Sequence, residues 1–136
     1  MSYSNTQRYG IAVGSAGSDN YVLADNDVRS NATAGMLLAS AIGTTRQVTG
    51  NAGYVTSARN VSTGLTTDAS GDVTISHGLA GTPVEVLAQM KGTTAVYILN
   101  PHTYAATTFK VRVYTTAGAA VVSTAITDPI AWKAEQ

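Results

Sequence analysis

Phe109-Lys110-Val111-Arg112-Val113-Tyr114 is the stretch whose pattern decides the fold. Three apolar side chains alternate with two cations and a tyrosine. A strict period of two belongs to a strand with one packed face and one open face.

Working outward from it, strand and turn signals follow each other closely. Downstream, Ala117-Gly118 turns the chain into a strand over residues 120–124, and a last strand runs over 126–132 before the polar end Lys133-Ala134-Glu135-Gln136. Upstream, residues 95–99 are apolar on both faces and predict a central, covered strand. Asn100-Pro101 closes it as a turn, because proline drives the preceding residue out of the helical region. Pro83 marks the entry to a strand over 84–89. Asp72-Val73-Thr74-Ile75-Ser76 alternates with period two, and Asp68-Ala69-Ser70-Gly71 is a turn that predicts a hairpin with residues 64–67. About six short strands with turn signals every dozen residues or so predict an all-β chain: a small β-sandwich or jelly-roll-like module over residues 63–136.

Residues 1–62 read differently. Seven glycines, from Gly10 to Gly53, interrupt any period before it is established. This half is expected to be a Gly/Ala/Ser-rich attachment region, either partly extended or a small β layer. Residues 36–42 fit two turns of helix or a buried strand equally well. A faint echo aligns Tyr21-Val22, Asp27-Val28 and Ser30 with Tyr54-Val55, Asn60-Val61 and Thr63 at a spacing of about 33 residues. The biased composition accounts for it.

Composition narrows the function. At 136 residues the chain is long enough for a core without staples, and the absence of cysteine excludes disulfides, thiolate zinc sites, iron–sulfur clusters and thiol nucleophiles. Eight Lys and Arg balance eight Asp and Glu, and these charges are scattered, so nucleic-acid binding is not expected. No apolar run approaches a membrane span and no export signal is visible, which predicts a soluble chain without a membrane partner. Charged residues make up only 12% of the sequence, against roughly 25% in ordinary domains, so much of the surface is expected to be covered by partners.

Chemistry has few residues to use. His77, in a Gly-rich turn, is expected to bond loop backbone through its ring. His102 has no acidic neighbour in sequence and is read as structural or solvent-exposed. Asp25-Asn26-Asp27, with Asp19 upstream, offers oxygen ligands but lacks the glycine and distant glutamate of a calcium loop, and reads as a turn. Gly14-Ser15-Ala16-Gly17-Ser18 lacks the Gly-Lys-Ser/Thr of a phosphate loop. No nucleophile elbow, metalloprotease helix or carboxylate pair is present, so no enzyme, metal or cofactor is expected. Seven tyrosines against one Phe and one Trp suit a wet interface.

One family resemblance is carried by Gly71-Asp72-Val73-Thr74-Ile75-Ser76-His77-Gly78-Leu79-Ala80-Gly81-Thr82-Pro83-Val84-Glu85-Val86, then by residues 109–114 and the closing Trp132. It resembles a β module of tailed-bacteriophage virion proteins, with the pattern strand, His-Gly-Leu-Gly, Thr-Pro, strand, found in fibre, tail and head-decoration proteins. Here Ala80 stands where many relatives place Gly directly after Leu. The resemblance covers residues 63–136 and implies a sandwich that trimerises or docks on a symmetric particle. The expectation is a capsid decoration (cement) protein: a homotrimer bound to the major capsid protein or other virion subunits, made in the bacterial cytoplasm and carried on the particle surface. The alternative is a head-fibre, tail-fibre or tail-tip component binding host glycan, with Tyr97, His102, Tyr104 and Tyr114 as candidate contacts. The chain is short for a fibre and has no heptad run, which favours cement.

Overall fold

The computed structural model describes residues 8–39 and 45–136, and these form twelve strands and no helix. The chain is all-β and divides into two units, Met1–Thr56 and Ser57–Gln136. The division falls six residues before the expected 62/63 boundary, because Ser57–Ser62 pairs along its whole length with Ile130–Glu135 at the other end of the chain.

The first unit carries β1 (Tyr9–Val13), β2 (Tyr21–Ala24), β3 (Ala34–Leu38) and β4 (Arg46–Thr49). β1 pairs with β3 and β2 with β4, both parallel. Every register partner lies 25 positions on, from Tyr9 with Ala34, through Tyr21 with Arg46, to the bridge of Asp27 with Ala52. A constant offset between parallel strands makes a solenoid, of two coils among the described residues. The coils stack like on like, with Ile11 on Met36, Val13 on Leu38 and Leu23 on Val48. Val28, Met36 and Val48 form a small buried core, with Ile11, Tyr21, Leu23, Leu38 and Tyr54 packed against it.

The 33-residue echo, attributed to composition, is not the structural repeat, which is 25 residues. It also resolves residues 36–42 in part: 36–38 are strand, while 40–42 lie outside the described residues. The glycines that hid the period help make the coil. A Cβ on Gly35 would stand 2.7 Å from the Gly53 carbonyl oxygen and from Val28, so only glycine lets the second coil close over Val28.

The second unit contains β5 (Ser57–Ser62), β6 (Leu65–Thr66), β7 (Asp72–Ser76), β8 (Glu85–Met90), β9 (Tyr97–His102), β10 (Thr108–Thr115), β11 (Ala125–Ile126) and β12 (Ile130–Glu135). Two three-stranded antiparallel sheets, in the orders β7-β10-β9 and β5-β12-β8, pack their apolar sides into one core, and β6 pairs with β11 beside them. This is the expected sandwich architecture. Phe109, Val111 and Val113 on β10 are fully buried, as the alternation requires. Phe109 meets Trp132 edge to face, with centroids 5.4 Å apart, and the indole N–H donates to Ser62 Oγ at 3.0 Å.

Several expectations within this unit are corrected. The turn over 68–71 forms, with the Gly71 N–H donating to the Asp68 carbonyl and Gly71 at φ 84, but it joins no hairpin. β6 goes to β11 and β7 to β10, so the chain changes sheets there. Residues 95–99 are not a central covered strand: β9 is an edge with Ile98 53% exposed, and Val96, just before it, is 76% exposed. Asn100-Pro101 is no turn but part of β9, with Pro101 opposite Val111. An edge strand tolerates a residue without an N–H. Residues 120–124 are irregular apart from a bridge of Ala120 to Tyr114. The expected strand over 126–132 is two strands, β11 and β12, separated at residues 127–129.

Candidate functional site

The open face of the β7-β10-β9 sheet concentrates the polar chemistry. Asp72 stands opposite Arg112, Thr74 opposite Lys110, and on the other side His102 opposite Lys110 and Ile98 opposite Tyr114. Because successive side chains alternate, Asp72, Arg112, Lys110, Tyr114 and His102 share one face, and the buried valines take the other.

Asp72 is the hub and is only 5% exposed. Its Oδ1 accepts from Arg112 Nε at 2.7 Å, its Oδ2 accepts from Arg112 Nη2 at 3.1 Å, and His102 Nε2 lies 3.0 Å from Oδ1. Lys110 Nζ reaches toward both Asp68 at 3.5 Å and Asp72 at 3.8 Å. The bidentate fork of Arg112 holds the Asp72 carboxyl down at about 2, with His102 adding to it against the cost of burial. The same bond raises Arg112, with help from Tyr114. Asp68 is lowered as well, by the backbone N–H of Asp72, then of Ser70, and by Lys110.

Such a cluster fixes strand register and closes the turn over 68–71. Each carboxylate is committed to a cation or to backbone, which suits a rigid surface.

Asp72→Asn is expected to cost roughly 1–3 kcal/mol at pH 7, because Arg112 loses its charged partner on a nearly buried site. A folded-state value near 2, below the ordinary 3.8, means that the Asp72 contribution is complete above that ordinary value and is lost as pH falls through about 2. Thermal unfolding of both proteins from pH 7 to pH 2 should show their midpoints converging below pH 4. Asp68 keeps its own share of acid sensitivity in both. Parallel curves down to pH 2 would remove Asp72 from this role.

The four candidate contact residues do not form one platform. Tyr97 packs against the core. His102 and Tyr114 lie on the open face, on neighbouring strands, and His102 Nδ1 also bonds Thr103 Oγ1 at 2.7 Å. Tyr104 follows in the loop after β9 and is 37% exposed. The tie from His102 to Asp72, thirty residues away, was invisible in sequence, because it depends on β7 and β9 flanking β10.

His77 takes the structural role expected of it. Its ring stacks on Phe109 and is buried, Nδ1 accepts the Leu79 N–H at 3.0 Å, and Nε2 lies 3.0 Å from the Ala105 carbonyl oxygen. Asp19, Asp25 and Asp27 do not converge. Asp27 pairs with Arg29, Asp19 lies 3.5 Å from Arg46, and Asn26 is bound to Asn51. Among the described residues no group of three or more His, Asp or Glu side chains could hold a metal ion. In the loop over 14–18, the Gly17 N–H donates to Ser15 Oγ.

A second surface, a shallow groove of about 470 Å³, lies on the β5-β12-β8 sheet and is lined by Arg59, Leu87, Gln89, Ala131 and Lys133 among others. Large apolar side chains stand exposed in this unit: Val84 at 72%, Leu87 at 58%, Val96 at 76% and Ile98 at 53%.

What fold and site define together is a class: an all-β protein of a two-coil solenoid and a sandwich, with ion-paired and apolar surfaces. Comparison with known proteins finds no match, whether among family models, curated proteins or solved structures.

Proposed function

We propose that this chain is a structural part of a tailed-bacteriophage particle, a capsid decoration protein that assembles as a trimer and cements neighbouring capsid subunits. The observation that carries the reading is the surface. Four large apolar side chains on and beside the sandwich strands are more than half exposed, in a chain with 12% charged residues and no net charge. A free monomer with such a surface tends to associate, whereas a shell component buries it against neighbours. The resemblance of residues 71–86 to virion β modules points to the same class. Many weak contacts suffice for cement, because a trimer touching several subunits makes each later contact intramolecular.

Purified chain added to particles lacking it is expected to bind to saturation and to raise the temperature at which they release their DNA. Particles that bind none, or bind it and gain no heat resistance, would reject cement.

A further inference from the structure

The open face of the β5-β12-β8 sheet sets like charges against each other. Lys133 is the register partner of Arg59, and Glu135 is the register partner of Glu85. Because side chains two apart on a strand share a face, Arg59, Lys133 and Leu87 make one row across the three strands, and Ser57, Glu135 and Glu85 make the next. Arg59, Lys133, Leu87 and Glu85 are exposed and Glu135 is half-buried, whereas Trp132 and Ala134, on the other side of the central strand, belong to the core. Like charges directly opposite one another destabilise an isolated sheet. Lys133 also reaches along its own strand to Glu135 at 2.5 Å, which ties the two rows together. Across both rows the cations Arg59 and Lys133 balance the carboxylates Glu85 and Glu135.

We propose that this face docks on the same face of a second copy, across a two-fold axis that lies between the two sheets, runs across the strands and passes between the two rows. The axis reverses strand direction, so the cation row of each copy falls on the carboxylate row of the other. Lys133 of one copy then meets Glu135 of the second, and symmetry makes the reciprocal pair. With the pair along each strand, four charges alternate in sign around the axis. The occupant is a second copy because the face is its own charge complement: an acidic partner would leave the carboxylate row unanswered, and a basic partner the cation row. The contact is isologous, so each charge pair is made twice. It also covers Leu87, which is 58% exposed. This contact goes beyond the cement reading and does not depend on it; in a trimer, the two-fold joins one trimer to the next.

Two charge-reversed full-length chains test it. Arg59→Glu with Lys133→Glu makes the face wholly acidic, and Glu85→Lys with Glu135→Lys makes it wholly basic. Each alone should lose the two-fold contact, so that sedimentation at low salt gives half the wild-type mass, and an equimolar mixture of the two should regain it. Trp132 emission reports that the sandwich of each variant is folded. Equal masses for the wild type and both variants, or a mixture that stays at the mass of its components, would overturn the contact. The wild type alone supplies a second measurement. High salt should halve its mass, because exposed charge pairs are screened. A wild-type mass indifferent to salt would equally overturn the contact.

Discussion

Val111→Asp should leave the sandwich unfolded at 25 °C. Val111 is fully buried at the middle of β10, opposite Val73 on one side and Pro101 on the other. The core around it is Val, Ile, Leu, Phe, Ala and Trp, and the indole N–H of Trp132 is already committed to Ser62 Oγ. The carboxylate must therefore either ionise without a partner or take up a proton in an apolar site, and losses above about 4 kcal/mol follow from such changes. That is a large part of the 5–15 kcal/mol or so that stabilises a domain. Trp132, the one tryptophan, sits in the same core and reports the loss as a red shift of its emission. Ser76→Asp, on the open face of β7, is the comparison and should change stability by no more than about 0.5 kcal/mol. Wild-type emission and melting in the Val111 variant would mean that the packed face of β10 is misassigned.

Asn51→Ala should open the other unit and leave the sandwich intact. Asn51 is 6% exposed and makes four hydrogen bonds, so its loss strands the Asn26 backbone N–H and takes one bond each from Asn26 Nδ2 and from the Leu23 and Thr49 carbonyls. Each buried polar group left without a partner costs about 1–3 kcal/mol, against a small core whose buried apolar side chains among the described residues are Val28, Met36 and Val48. Hydrogen exchange should accelerate in Tyr21–Ala24 and Arg46–Thr49 while Thr108–Thr115 keeps its protection. Unchanged protection of β2 and β4 would show that the hydrogen bonds between Asn26 and Asn51 do not hold the coils together.

These two residues also mark what the sequence made legible. Val111 sits in an uninterrupted alternation, and a strand with one buried face has little choice of register, so β10, β7 and the all-β class could be read directly. Pairing could not. The turn over 68–71 looks like a hairpin because a local signal says only that the chain reverses, not which strand it meets next. The apolar run at 95–99 looks central because periodicity alone does not say where a strand sits in its sheet: β9 is an edge, with Ile98 on it and Val96 just before it exposed. The coil repeat was hidden for a different reason. Parallel stacking asks only for the same size and polarity every 25 positions, so Ile11 over Met36 and Leu23 over Val48 satisfy it without identity, and Gly10/Gly35 and Asn26/Asn51 are lost among frequent glycines and polar residues. The Asp72 hub went unread because its partners, His102 and Arg112, lie 30 and 40 residues away and meet it only through the sheet order.

The reading of this chain as a shell component rests on the exposed apolar side chains of the second unit and on the low charge content, and its copy number tests that reading most directly. Purified particles should be resolved by gel electrophoresis and this chain quantified against the major capsid protein. A copy number comparable to that of the capsid protein is the expected result; a small fraction of it would move the chain to a fibre or tail part, and its absence from particles would contradict the account.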